Sequence, residues 1–156
     1  MRKKKIIKRH QIKPDRKFLS TEVSQLINKV MKNGEKRTAM SIVYKAADKI
    51  EKETSTPFLD ALKTALTNVK PSLETKSKKF GGSNHRVPVK VDEKRALTLA
   101  LRWLVEGARE KKAKPMFEKL AEEIKDAFNK TGVAFKKKEN IHKEAMGNMA
   151  FAKISL

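Results

Sequence analysis

Apolar residues recur along this chain at helical spacing, interrupted once. After Ser20, Val23, Leu26, Ile27, Val30 and Met31 follow the i, i+3, i+4, i+7, i+8 template, predicting a first helix that Asn33-Gly34 stops. Ala39, Ile42, Val43, Ala46 and Ile50 predict a second helix over about 35–53, with Met40 and Tyr44 widening its stripe. Thr56-Pro57 opens a third, whose core side is Phe58, Leu62, Ala65, Leu66 and Val69 and which Pro71 closes. From Asp92 to about Lys112 a fourth helix places Leu97, Ala100, Leu101, Leu104 and Ala108 on one face, with Trp103 in the core or at its rim. Lys114-Pro115 restarts the chain as a fifth helix carrying Phe117, Leu120, Ala121, Ile124 and Phe128, ended by Thr131-Gly132. A sixth runs from about Val133 to Met149 on a thinner stripe of Ile141, Ala145 and Met149.

The interruption lies between the third and fourth helices. Leu73-Thr75-Ser77 and Val87-Val89-Val91 alternate with polar residues around Gly81-Gly82, which predicts a β-hairpin arm over 72–91. Pro88 restricts its strand to an edge or an unpaired position. A two-stranded ribbon has little core of its own and needs support from the helices. The fold class expected is therefore mainly α: a single six-helix domain over 1–156 with one protruding β-hairpin between helices three and four. Residues 1–17 read as an extended basic tail and 150–156 as a short, mobile C-terminal tail.

Charge changes the picture from fold to partner. The chain has 38 Lys+Arg against 18 Asp+Glu, a net charge of +20. Self-repulsion of that size opposes folding, and a polyanion is the partner that rewards it, because each neutralised phosphate releases counterions. The basic residues spread over tail, arm and helix faces, which disfavours a membrane surface as partner. Arg2, Lys3, Lys4, Lys5, Lys8 and Arg9 load the tail, with Lys13, Arg16 and Lys17 following and Asp15 the lone acid. The arm carries Lys76, Lys78, Lys79 and Arg86. On the face of the fourth helix opposite its apolar stripe, Arg95, Thr98, Arg102, Glu106 and Arg109 line up, three planar guanidinium groups suited to phosphate. Lys136, Lys137 and Lys138 open the sixth helix.

Candidate catalytic chemistry does not assemble. The three histidines, His10, His85 and His142, have no partner at metal-ligand spacing, and with no cysteine the His142-x-Glu144 pair lacks the other half of a zinc deaminase motif. Gly81-Gly82 continues into neither a phosphate loop nor a dinucleotide fingerprint. The reading is of a non-enzymatic nucleic-acid binder needing no cofactor, metal or small-molecule substrate. No apolar run approaches a membrane span, and only Ile6-Ile7 follows the basic start where a signal core would be. A histone-like DNA-compacting protein is the alternative the same charge allows, and a basic partner for an acidic protein is a third.

Several segments, in order, resemble the bacterial-type ribosomal protein seven of the small (30S) subunit. They are Met31-Lys32-Asn33-Gly34-Glu35-Lys36, Asn68-Val69-Lys70-Pro71, Lys76-Ser77-Lys78-Lys79-Phe80-Gly81-Gly82-Ser83, Val87-Pro88-Val89, Leu101-Arg102-Trp103-Leu104, Lys136-Lys137-Lys138-Glu139 and Ala150-Phe151-Ala152. The resemblance implies a helical domain with a protruding hairpin that binds the 3′ major domain of 16S ribosomal RNA and nucleates assembly of the subunit head. It further implies proximity to exit-site tRNA and the mRNA path, and head and platform ribosomal proteins as neighbours, on a cytoplasmic or organellar ribosome. RNA contacts of that family map onto the N-terminal basic residues, Lys76, Lys78, Lys79, Arg95, Arg102, Arg109 and Lys136 to Lys138. His85-Arg86 and Lys90 depart from the family's usual residues and make this arm more basic.

Overall fold

The apolar stripes of the helices meet in one core. In the computed structural model, which describes residues 11–155, the order is α1 (Thr21–Val30), α2 (Lys36–Thr54), α3 (Phe58–Val69), β1 (Leu73–Phe80), β2 (Ser83–Lys90), α4 (Glu93–Glu110), α5 (Met116–Phe128) and α6 (Gly132–Gly147), closed by a 3₁₀ helix, Met149–Ser155. The six helices and the hairpin between α3 and α4 are those the periodicity predicts. The strands pair only with each other, antiparallel, from Leu73↔Lys90 to Phe80↔Ser83.

Helix α4 sits deeper than its pattern implies. Besides Ala100, Leu101, Leu104 and Ala108, the structure buries Ala96, Leu99, Trp103, Val105 and Gly107, so only a narrow polar stripe reaches solvent. Leu97 of the expected stripe is only partly buried. Small residues explain the close approach. A Cβ on Gly107 would lie 2.8 Å from Glu123 Oε1 and 3.2 Å from Val133 Cβ, which lets α5 and the start of α6 press against α4.

N-cap side chains contribute little to these helix starts. Ser20, Asp92 and Thr131 occupy N-cap positions, yet none makes a side-chain capping bond. Two helices instead borrow carboxylates from elsewhere. Glu51 of α2 accepts the backbone N–H of Phe58, the first residue of α3, at 3.1 Å. Fully buried Glu123 of α5 accepts the N–H of Ala134 in the first turn of α6 at 2.8 Å. Both supply negative charge and an acceptor where the helix has unpaired donors.

Candidate nucleic-acid interface

The hairpin arm owes its shape to a two-residue turn. Gly81 and Gly82 adopt φ +58° and +84°, the left-handed pair of a type I′ turn, whose twist matches the strands. Toward its base Val87 and Pro88 are both buried, so the helices cover what the ribbon cannot cover for itself. Pro88 lies opposite Thr75 in a ribbon whose two strands are both edges, which removes the usual objection to proline in a ladder.

Polar ties then fix the arm to two helices, α4 and α6. Glu74 pairs with Arg95 at the start of α4 at 3.3 Å and with Lys76 at 3.4 Å. Arg86 pairs with Glu144 of α6. The Ser72 backbone N–H donates to His142 Nε2 of α6 at 3.0 Å, which requires that nitrogen unprotonated. Burial, with Lys138 alongside, holds His142 below the ordinary imidazole pKa, in keeping with an acceptor role. The C-terminal stretch, expected to be a mobile tail, instead forms the 3₁₀ helix and places Phe151 4.9 Å from the His85 ring. The aromatic contact gives that end of the chain a partner that its composition does not reveal.

A second correction concerns the basic tail. Arg2, Lys3, Lys4, Lys5, Lys8 and Arg9 lie outside the described residues, but residues 11–17 of the expected tail form a strap folded onto the helices. Asp15, 5 % exposed, organises it. Its Oδ2 accepts the N–H groups of Lys17 and Phe18 at 3.0 and 3.2 Å, and its Oδ1 accepts the Tyr44 hydroxyl at 2.7 Å. Burial works to raise the Asp15 pKa, but the Tyr44 and backbone donors outweigh it and hold the carboxyl below its ordinary value. Phe18 packs at 5.1 Å from Phe58 and 5.9 Å from Tyr44, while Lys17 reaches Asp48 at 2.8 Å. The lone acid among nine cations is thus a structural hub; its isolation was the signal for it.

The α4 stripe and the α6 lysines are partly committed to the protein itself. Arg109 donates to the carbonyls of Lys29 and Val30 at 3.4 and 3.3 Å, satisfying the C-terminus of α1. Glu106, the acid within the stripe, meets Lys137 at 3.5 Å, and Glu110 meets the same ammonium at 2.7 Å. Burial works to lower the Lys137 pKa, but these two carboxylates win and hold it above its ordinary value. Lys138 donates to the Asn68 carbonyl at 2.7 Å. Asn68 in turn donates to the carbonyls of Ala127 and Phe128 at 3.1 and 3.0 Å, locking the end of α3 to the end of α5.

The predicted cations therefore divide. Lys79 on the arm, Arg102 on α4 and Lys136 on α6 are exposed and make no ion pair or hydrogen bond among the described residues. Lys76, Arg86, Arg95, Arg109, Lys137 and Lys138 carry internal bonds that orient them. Lys78 is exposed at the outer half of the arm. Among the described residues no group of three or more His, Asp or Glu is arranged to hold a metal ion, and no helix is long and apolar enough to cross a membrane.

An all-helical body whose exposed cations sit on a strap, an anchored hairpin and two helix faces is the architecture of a polyanion-binding scaffold. The family described as ribosomal protein S7p/S5e matches residues 1–149. The small ribosomal subunit protein uS7 of Thermotoga maritima is 49 % identical over 152 residues, covering 97 % of each chain. Its counterparts in Kosmotoga olearia and Chloroflexus aggregans are 45 % and 43 % identical over the same length and coverage. The chain belongs to the ribosomal protein S7p/S5e family, whose members are structural components and not enzymes.

Proposed function

We propose that this chain is a structural constituent of the small ribosomal subunit that binds the 3′ major domain of 16S ribosomal RNA and nucleates assembly of the subunit head. The observation that carries this reading is the set of exposed, unpaired cations Lys79, Arg102 and Lys136, presented from three separate elements of a family member. A rigid protein that touches several RNA segments at once holds them in one arrangement, and such contacts fall on phosphates, shape and unstacked junction nucleotides. The hairpin, seated against α4 and α6, is the part that reaches toward exit-site tRNA and the mRNA path. Neighbouring head and platform proteins complete the surroundings, on a cytoplasmic or organellar ribosome.

Competition binding tests this. The full chain is expected to prefer a transcript of the 3′ major domain over one of another 16S domain and over duplex DNA of equal length. Equal affinity for all three would leave only charge and overturn the reading. Binding is also expected to weaken with salt at a log–log slope of about 0.7 to 0.9 per phosphate contacted.

A further inference from the structure

Asn33 and Gly34 lie in the connection between α1 and α2, and both take left-handed backbone angles, φ +50° and +78°. The Asn33 side chain is exposed and makes no hydrogen bond among the described residues. The Gly34 N–H has no acceptor among them either, although the groups around it are engaged. The Glu35 N–H donates to the Lys32 carbonyl at 2.9 Å and the Lys36 N–H to the Gly34 carbonyl at 2.8 Å. A Cβ built on Gly34 would meet nothing within 4 Å, so the surroundings of its nitrogen are open.

These two groups can react with water as the sole co-reactant. The Gly34 backbone nitrogen attacks Asn33 Cγ and a bond forms between them. The bond from Cγ to the side-chain nitrogen breaks, and that nitrogen leaves as ammonia, taking the proton the backbone gives up. Water then opens the cyclic imide at either carbonyl. One opening restores the ordinary main chain with aspartate at this position. The other gives isoaspartate, whose main chain runs through the former side chain and gains a methylene. Glycine favours the attack because it sets no side chain beside the nucleophile and leaves the peptide plane free to turn. Lys32, Lys36 and Arg37, all exposed, outnumber Glu35 around the loop and favour the anionic form of the attacking nitrogen.

The other asparagines lack these conditions. Asn68 Nδ2 is held by the Ala127 and Phe128 carbonyls, and Asn148 Nδ2 donates to the Glu144 carbonyl. The nitrogen after Asn129, that of Lys130, donates to the Ala127 carbonyl at 3.2 Å. Asn28 and Asn140 lie within α1 and α6, where the following N–H belongs to the helix ladder. Asn84 lies in β2 and is followed by His85.

We infer that Asn33 is a self-modification site: in the folded chain it loses its amide ahead of every other asparagine, giving aspartate and isoaspartate at the α1–α2 joint. The inference goes beyond the ribosomal reading and does not rest on it. Each event takes one unit from the net charge of +20. The two products differ in consequence. Aspartate tolerates the left-handed region as asparagine does, and it sits ahead of the positive end of α2, whose first turn holds no acid. It leaves the joint intact. Isoaspartate lengthens the connection that sets how α2 leaves α1, and loosens it.

The test incubates the full chain in warm, mildly alkaline buffer, digests it with trypsin and reads the peptides by mass spectrometry. The change from amide to acid is expected first on the peptide from Asn33 to Lys36. An isoaspartyl methyltransferase with radiolabelled S-adenosylmethionine is expected to label the same peptide. Asn33→Gln is expected to abolish the label, and Gly34→Ala to slow conversion at least about tenfold with helicity kept. The folded chain is expected to convert within about tenfold of the rate in urea, since the fold holds neither reacting group. Asn33→Asp is expected to melt with the native chain, and an aged sample rich in isoaspartate to melt lower. Earlier conversion of another asparagine, a label that survives Asn33→Gln, an unchanged rate in Gly34→Ala or a folded rate suppressed beyond that limit overturns the site. An Asn33→Asp chain that melts as low as the aged sample overturns the division between the products.

Discussion

Replacing Glu123 separates a structural carboxylate from a surface one. Its side chain is fully buried, Oε1 accepts the Ala134 N–H at 2.8 Å, and Oε2 lies 3.1 Å from Lys111 Nζ. That oxygen has no hydrogen bond of good geometry, so the ammonium holds it by charge more than by a directed bond. Glu123→Ala strands a buried N–H at the start of α6, a loss of about 1–3 kcal/mol, and leaves a small cavity worth about 1 kcal/mol more. Relief of the carboxylate's own desolvation offsets part of this. Lys111 keeps Asp126 at 2.8 Å, so no bare ammonium remains. The net expectation is somewhat below that sum, about 1.5–3.5 kcal/mol of lost stability for Glu123→Ala. Glu123→Gln, which keeps an oxygen for Ala134 and most of the volume, should cost about 1–2 kcal/mol. Urea unfolding reads both as a lower midpoint at unchanged slope. Because a Cβ on Gly107 would lie 2.8 Å from Glu123 Oε1, Gly107→Ala should cost less in the Glu123→Ala background than alone. If Glu123→Ala costs no more than Glu123→Gln, or the two glycine effects are equal, the carboxylate is not the keystone of the α4–α5–α6 junction.

Other perturbations address the interface and its supports. Lys78→Ala with Lys79→Ala should weaken RNA binding and lower the salt slope by up to about 1.4 to 1.8 with helicity unchanged; circular dichroism showing collapse would make the arm a folding element instead. His142 is held below its ordinary value of 6.5, so the unfolded chain takes up its proton first as pH falls. Its contribution is therefore full above about pH 6.5 and fades as pH drops through the folded pKa, and His142→Gln should flatten the stability profile below pH 6.5; matching profiles would refute the Ser72 contact. Asp15 is held below 3.8 and contributes fully above that pH, its share fading as pH falls through the folded pKa. Tyr44→Phe removes one of its charged hydrogen bonds and should cost about 1.5–3 kcal/mol, with a wild-type melting temperature as the opposing result.

Local chemistry explains which parts were legible in the sequence. The i, i+3, i+4 stripes placed all six helices, and Gly81-Gly82 placed the turn, because both signals act over a few residues. Helix-start acceptors that come from elsewhere in the fold leave no trace in the local pattern: Glu51 reaches α3 and Glu123 reaches α6. Helix α4 shows the opposite limit. Periodicity assigns one apolar face, but a central helix is packed from several sides, so Leu99, Val105 and Gly107 are buried beyond that stripe. For the proposed interface, composition picks out candidate cations. It could not tell Arg109, bonded to the end of α1, from Arg102, which faces solvent.

That division bears on how the interface works. The pairs Arg95–Glu74 and Lys76–Glu74 leave their basic partners with side chains 50 % and 59 % exposed. Exposed pairs of this kind are worth about 0–1 kcal/mol, too little to compete with a phosphate held in good geometry. On the proposed RNA-binding reading they would not withhold the cations; they would keep flexible side chains near one direction until a phosphate replaced the carboxylate. The arm's base is already fixed through Ser72 and His142, so little backbone freedom would be lost on binding. Severing the base while leaving every arm cation in place should therefore weaken RNA binding with the salt slope almost unchanged, whereas removing cations lowers the slope itself. The two kinds of loss distinguish an orienting contact from an electrostatic one.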